Sequence, residues 1–269
     1  MLISIITPTY NSESTIQNCV QSILKQTYQD YEHIIVDNLS QDNTLGVTKQ
    51  LYQKANISQK LKIICEKDEG ISQAFNKGIT AAKGDIIGIL NSDDCLYGSD
   101  SLNRIISPFK NKNVNFVHGN ILMNDPVYGT NIRKPLRCRV TKAMPFNHPT
   151  LYFRKEIYEK YGHYKMDYKI VMDYEYILRL SRQNPEIIKQ GTYLEGDPLA
   201  VMNFGGVSWK RERESLKEIK KALIDNQLWN MDAQMNLLVR KVRFNIKSLL
   251  SLFHIYKPIQ WWRRWKWKN

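Results

Sequence analysis

Cysteine is scarce, with four in 269 residues: Cys19, Cys65, Cys95 and Cys138. They lie far apart and form neither a Cys-x-x-Cys pair nor a Cys/His cluster of zinc spacing, so reduced thiols are expected rather than a disulfide framework or a structural zinc site. Long apolar runs are missing as well. No stretch approaches the ~18 uncharged apolar residues of a membrane span, and the longest near the C-terminus, Ser248 to Tyr256, is half of that. The opening MLISIITPTYNSE has no basic region ahead of its apolar stretch and no small-residue cleavage site, so it reads as a strand and not a signal peptide. Glycine-rich phosphate loops are absent too. The first apolar run leads into Thr7-Pro8-Thr9-Tyr10-Asn11-Ser12, and no Walker loop occurs, which argues against a fold that cradles pyrophosphate on backbone amides. No internal repeat or low-complexity stretch appears.

What is present suits a folded chain. Hydrophobic residues make up 42% and aromatics 11%, enough for a sizeable core, and the length allows one large domain or two small ones. The formal charge is +13, which invites a polyanionic partner: nucleic acid, anionic membrane or a phosphorylated ligand. Its distribution narrows the choice. Residues 1–208 hold 24 Lys/Arg against 21 Asp/Glu, whereas residues 209–269 hold 15 against 5 together with all six tryptophans (Trp209, Trp229, Trp261, Trp262, Trp265 and Trp267). The chain is expected to consist of a nearly balanced body, 1–208, and a basic, Trp-rich tail, 209–269.

The first 125 residues alternate β-branched runs (Ile3 to Thr7, His33 to Asp37, Leu61 to Cys65, Asp85 to Leu90) with segments of helical spacing (Thr15 to Gln26, Asn43 to Ala55, Ile71 to Ala82). This βαβα rhythm predicts an α/β fold with a mostly parallel sheet covered on both faces, and a further strand is expected at Asn115 to Met123. The polar residues follow these runs at one end: Thr7-Pro8-Thr9-Tyr10, Asp37-Asn38, Glu66-Lys67-Asp68-Glu69-Gly70 and Asn91-Ser92-Asp93-Asp94. In a parallel sheet those ends share one edge, where ligands of open α/β sheets bind. One Asp after one strand is an ordinary cap or turn former. Four such ends in succession point to a polar ligand site, and Asp93-Asp94 offers hard oxygens for Mg²⁺ or Mn²⁺ shared with phosphate.

Residues 126–208 lose the alternation. A loop with five basic residues (Arg133, Lys134, Arg137, Arg139, Lys142) leads through His148 to a strand-like Leu151 to Phe153 and helices near Lys155 to Tyr161 and Met172 to Gln183, the latter ended by Asn184-Pro185. The basic loop fits a phosphate contact or a solvated surface. His148 fits an acceptor or diphosphate contact, or a structural role.

Several ordered blocks carry a resemblance: Ser4-Ile5-Ile6-Thr7-Pro8-Thr9-Tyr10-Asn11, Ile34 to Thr44, Glu66 to Gly78, Lys83-Gly84-Asp85 and Leu90 to Asp94. Together they resemble the inverting family 2 glycosyltransferases of the GT-A (nucleotide-diphospho-sugar transferase) fold, of the bacterial capsule, O-antigen and exopolysaccharide type. The similarity covers roughly residues 1–208, with 1–125 as the nucleotide-sugar half and 126–208 as the acceptor half. It implies that Thr7, Pro8, Thr9, Tyr10 and Asp37 surround the nucleobase, with Asp37 bonding the uracil ring. It also implies nucleotide contacts at Asp68, Lys77, Asn91 and Asp93. Mn²⁺ or Mg²⁺ would sit on Asp94 and Asp93, Asp94 foremost, although Asn91 departs from the usual Asp-x-Asp pattern. Asp173 matches the general base, with Glu175 as its rival, about 200° around the helix. The expected reaction moves a sugar from a UDP-sugar to a glycan or lipid-linked saccharide acceptor in cell-surface polysaccharide synthesis, by a hexosyl- or N-acetylhexosaminyltransferase.

The tail adds an expected location. On a helix, Leu238, Val242, Leu249, Leu252 and Phe253 fall to one side and Arg240, Arg243 and Lys247 largely to the other, followed by WWRRWKWKN. Such a mixture suits peripheral contact of residues 237–269 with anionic lipid at the cytoplasmic face of the cell membrane, and no nucleic-acid partner. A nucleic-acid-binding protein and a non-catalytic transferase-like scaffold are the rival readings.

Overall fold

The computed structural model describes residues 1–125, 129–203, 211–253, 255 and 257–258. Five of the six tryptophans and the Gly205 to Ser208 stretch lie outside them.

Strands β1 (Ile3–Thr9), β2 (Tyr31–Asp37), β3 (Leu61–Cys65) and β4 (Ile86–Ile89) form a four-strand parallel run in a seven-stranded sheet. β1, β2 and β4 are buried almost throughout, which is why they read as unbroken apolar runs. β5 (Cys95–Leu96) leaves for a smaller sheet, which also holds β7 (Ile121–Asp125), β8 (Gly129–Arg133) and β11 (Ala200–Asn203) in the order β5-β11-β7-β8. The large sheet continues with β6 (Phe116–Gly119), β9 (Tyr152–Arg154) and β10 (Gly191–Leu194), giving the order β10-β6-β9-β4-β1-β2-β3. β9 runs antiparallel to both β4 and β6, so the parallel run breaks between the two halves of the chain.

One face of the large sheet is covered by α1 (Glu13–Leu24), α2 (Thr44–Lys54) and α4 (Ser101–Ile106), the other by α3 (Ile71–Ala81), α5 (Lys155–Tyr161) and α6 (Met172–Gln183). α3 sits close on β1: a Cβ at Gly78 would lie 2.3 Å from the Ile6 side chain, an approach open only to glycine. The body ends with α7 (Pro185–Lys189), and α8 (Glu212–Asp225) and α9 (Met231–Leu252) follow. Ala222, Leu223, Ala233 and Leu237 from these last two helices are buried in the same core as Tyr174 and Ile177 of α6. The charge boundary near residue 208 is therefore not a packing boundary.

Three local differences from the sequence expectation have physical causes. The strand expected over 115–123 is two strands in different sheets, turned at buried Asn120, which donates to the Gly196 carbonyl (2.7 Å) and accepts from the Tyr193 hydroxyl (2.8 Å). Asn184-Pro185 ends α6 and also starts α7, with the Asn184 side chain accepting the Glu186 amide and Pro185 filling the first turn. β8 and β10 had no signal, being short and half exposed with no clean alternation.

Candidate active site

The carboxyl ends of β1, β2, β3 and β4 lie along one edge because these strands run in parallel register. Asp37 is their hub. Thr9 Oγ1, its register partner, donates to Asp37 Oδ1 (2.8 Å), Ser40 donates through Oγ (2.5 Å) and its amide (2.8 Å), and the Cys65 thiol adds a weak contact (3.5 Å). The carboxylate is fully buried, and these donors fill its lone pairs. Leu39 takes the left-handed φ of 54° that this tight turn demands.

Two nucleobase expectations change. Thr7 lies within β1, fully buried, and its hydroxyl is engaged by His33 Nε2 (2.9 Å), so it supports the sheet and does not face the crevice. Pro8 is likewise buried within the strand. Tyr10, the next exposed residue, stands on the rim. The loop after β3 is tied to this edge, as the Asp68 amide donates to Asn38 Oδ1 (2.8 Å) and Asp68 Oδ1 accepts the amide of Gly70 (2.9 Å), whose φ of 138° favours glycine. Burial pushes the Asp68 carboxyl up. Lys77 reaches back from α3 to the Lys67 carbonyl (2.7 Å) and Glu66 (3.0 Å). The structure therefore brings Thr9, Asp37, Asp68 and Lys77 to one end of the crevice.

At the end of β4, Asp93 and Asp94 differ sharply. Asp94 is 2% exposed, and burial, then the neighbouring Asp93 charge, hold its carboxyl well above the usual range. Asn91 Nδ2 lies 3.5 Å from Asp94 Oδ2, while Asn91 Oδ1 is buried with no hydrogen-bond partner. Asp93 is half-buried, and its carbonyl accepts from Asn203 Nδ2 of β11 (2.6 Å). A divalent ion fits this donor set. Two adjacent carboxylates, one of them disfavoured as an anion, and an orphaned amide oxygen supply hard ligands for an ion that takes its remaining ligands from phosphate and water. Among the described residues no group of three or more His, Cys, Asp or Glu could enclose a metal alone.

Across the crevice, Asp173 occupies the first turn of α6 and is partly exposed, its Oδ1 accepting the Tyr174 amide (2.7 Å). Its Oδ2 lies 3.8 Å from His148 Nδ1. The His148 ring stacks on Phe75 of α3 (centroids 5.7 Å apart), and its Nε2 is buried without a hydrogen-bond partner. Burial lowers the His148 pKa, against the pull of Asp173 and Asp93, so this imidazole feels both carboxylates. Glu175 points elsewhere. It is fully buried, paired with Lys165 (3.2 Å) and Arg179 (3.3 Å), with Asn226 donating to it from 3.4 Å.

No sequence pattern singles out Glu218, yet this α8 residue accepts the amides of Lys169 (3.1 Å), Ile170 (2.9 Å) and Val171 (3.0 Å), the three residues running into α6. A carboxylate from the basic tail thus fixes the approach to Asp173. Its neighbours along α8 alternate in charge like any solvated face, so no local pattern marks it. The basic loop is also anchored: Val140 accepts from the Tyr174 hydroxyl (2.5 Å), Arg139 pairs with Asp232 (3.2 Å), and the Lys142 carbonyl accepts from Arg240 (2.8 Å).

The family model "Glycosyl transferase family 2" matches residues 4–178. The chain belongs to this family, with the GT-A fold. A "PGL/p-HBAD biosynthesis glycosyltransferase" of Mycobacterium bovis is 28% identical over 216 residues, 77% of this chain and 79% of that protein. The "Chondroitin synthase" of Pasteurella multocida is 30% identical over 218 residues, 76% of this chain but 22% of that longer protein. Among solved structures, S. aureus TarS 1-349 in complex with UDP-GlcNAc superimposes with a TM-score of 0.64 at 19% identity, covering 88% of this chain and 70% of that one. The mannosyltransferase PcManGT from Pyrobaculum calidifontis, in complex with GDP-Man and Mn²⁺, gives 0.61 at 15% identity, covering 98% and 82%.

Proposed function

We propose that this chain transfers a hexosyl or N-acetylhexosaminyl group, with inversion, from a UDP-sugar to a glycan or lipid-linked saccharide acceptor in cell-surface polysaccharide synthesis. The observation that carries the reading is the pair of opposed carboxylates, Asp93 after β4 and Asp173 opening α6, both sensed by His148 between the two halves of the chain. Thr9, Tyr10, Asp68 and Lys77 border the nucleobase and ribose. Asp37 acts mainly by holding the Thr9 and Ser40 turns in place, and a uracil ring reaches it only where the weak Cys65 contact gives way.

Asp93, the more accessible carboxylate, takes the leading part toward Mn²⁺ or Mg²⁺ and Asp94 supports it from beneath, which reverses the order expected from sequence. When bound, such an ion neutralises charge developing on the departing diphosphate. Asp173 accepts the proton of the acceptor hydroxyl as its oxygen bonds to the anomeric carbon and the bond from that carbon to the diphosphate oxygen breaks. Attack from the face opposite the leaving group turns an α-linked donor into a β-linked product. His148 stands beside the Asp173 carboxylate, its Nδ1 3.8 Å from Oδ2, and Glu218 holds the turn behind it. The place of action we infer is the cytoplasmic face of the cell membrane. Purified protein incubated with Mn²⁺ and a panel of nucleotide sugars should release UDP; no nucleotide release and no binding of uridine diphosphate would reject the reading.

A further inference from the structure

α9 has two opposite faces. Ala233 and Leu237 are buried against the body, Arg240 donates to the Lys142 carbonyl, and Lys247 is ion-paired with Glu212. On the far side, Met235, Leu238, Val242, Ile246, Leu249 and Phe253 recur at spacings of three and four and form one stripe, every member of it more than 45% exposed. At 100° per residue the stripe lies opposite the docked face, and Lys241 and Arg243, both exposed, stand on its two edges. The one acid of the helix, Asp232, is paired with Arg139 at its start. The polarity is the reverse of a helix whose cations face water: Arg240 is turned to the Lys142 carbonyl and Lys247 to Glu212 of α8, and the apolar side chains look outward.

We propose that the outward face of α9 lies in the interface of an anionic lipid bilayer, parallel to the membrane plane. This deepens the reading of a transferase acting on a membrane-borne acceptor, and rests on that reading only for why the surface would be useful. Charge decides between occupants. A second copy packed stripe to stripe would set Lys241 and Arg243 against their own counterparts and bring no acid to the seam, since Asp232 lies at the helix start in its pair with Arg139. An anionic headgroup layer meets both cations and admits the apolar side chains between them. The helix spans about 33 Å at 1.5 Å per residue, and among the described residues no helix is long and apolar enough to cross a membrane, so the contact is lateral. The surrounding segment, residues 209–269, carries ten more cations than acids. The docked face of α9 also holds Lys142 and Arg139 of the loop that Tyr174 grips beside Asp173, so a bilayer under α9 fixes the acceptor side of the crevice relative to the membrane.

The test is co-sedimentation of the full chain with vesicles of phosphatidylcholine alone and of phosphatidylcholine with phosphatidylglycerol. The wild type should favour the anionic vesicles by at least about tenfold, and Leu238→Asp, Val242→Asp and Leu249→Asp combined should lose most of that binding. The variant's circular dichroism and uridine diphosphate binding should match the wild type, which separates loss of the surface from loss of the fold. Equal binding to both vesicle types, or variant binding equal to wild type through the Trp-rich end, overturns the proposal. So does a wild-type dimer in light scattering that the triple variant turns into a monomer, since that assigns the stripe to a second copy. If the wild type binds anionic vesicles but not uridine diphosphate, the transferase reading fails and the surface stands.

Discussion

The crevice edge and the outer face of α9 place polar and apolar groups in opposite ways. At the sheet edge polar atoms are consumed internally: Asp37 collects four contacts and Lys77 two, while Asn91 Oδ1 and His148 Nε2 are conspicuous because they have none. Along the outer face of α9 apolar side chains are left to solvent, while Arg240 and Lys247 are turned inward. A buried polar atom without a partner and a contiguous exposed apolar stripe are both costly, one as an unmade hydrogen bond and the other as apolar surface in water. The crevice asks for a polar, charged ligand; the helix asks for an apolar, anionic-edged one.

The largest expected effect separates two acids within the crevice half of this contrast. Asp173→Asn should lower transfer by about 10²–10⁴-fold, the usual worth of a positioned base, without changing nucleotide-sugar binding. Turnover near wild type in a coupled UDP-release assay would move the base elsewhere. Glu175→Gln, two residues on, should act on stability instead. Removing the charge of Glu175 from its buried pair with Arg179, to which half-exposed Lys165 adds, should cost about 3–5 kcal/mol in denaturant unfolding. A loss of transfer in a fully stable Glu175 variant would erase the distinction between them.

The two faces of α9 can be compared through adjacent leucines. Leu237 is 3% exposed and Leu238 53%. Leu237→Ala should cost about 2–5 kcal/mol by chemical unfolding, whereas Leu238→Ala should stay within about 0.5 kcal/mol. Equal costs would mean that both faces are packed.

The smallest effect belongs to the layer under the crevice. His33 is fully buried between Thr7 and Tyr52, and burial lowers its pKa from 6.5 to about 3. The native state excludes the proton that the unfolded chain takes up below pH 6.5. The stability is therefore complete above pH 6.5 and is lost as pH falls toward 3, by up to about 1.4 kcal/mol per pH unit. His118, lowered to about 4, adds a second contribution of the same sign. His33→Gln should flatten the dependence of the melting temperature on pH between 6.5 and 5; an unchanged slope would show that the imidazole is not what titrates.

Much of the first half was legible in the sequence. The β-branched runs gave β1 to β4 nearly to the residue, and the polar residues after them fell on one edge because parallel register leaves no alternative. What was not legible was which of those residues face inward. Thr7 and Thr9 are two apart on one strand, yet one hydroxyl is spent on His33 and the other on Asp37, a difference made by residues 26 and 28 positions away. Asp93 and Asp94 are chemically identical neighbours, and only the turn after β4 buries one of them. The second half was harder: Leu151 to Phe153 foretold β9, but β8 is a short, half-exposed hairpin partner of β7, and β10 takes its place against β6, some 75 residues earlier in the chain.

The sequence by itself determined the family, the α/β rhythm of its first 125 residues, the acidic strand ends and the separation of charge between body and tail, because these are properties of local order and composition. Tertiary structure alone decided that Asp173 meets His148 while Glu175 is sealed among cations, that Glu218 of the tail holds the turn before Asp173, and that the apolar stripe of α9 looks outward. A helix has two sides and a carboxylate many potential partners. Packing against the rest of the chain chooses between them, since whichever face docks removes the other from the core.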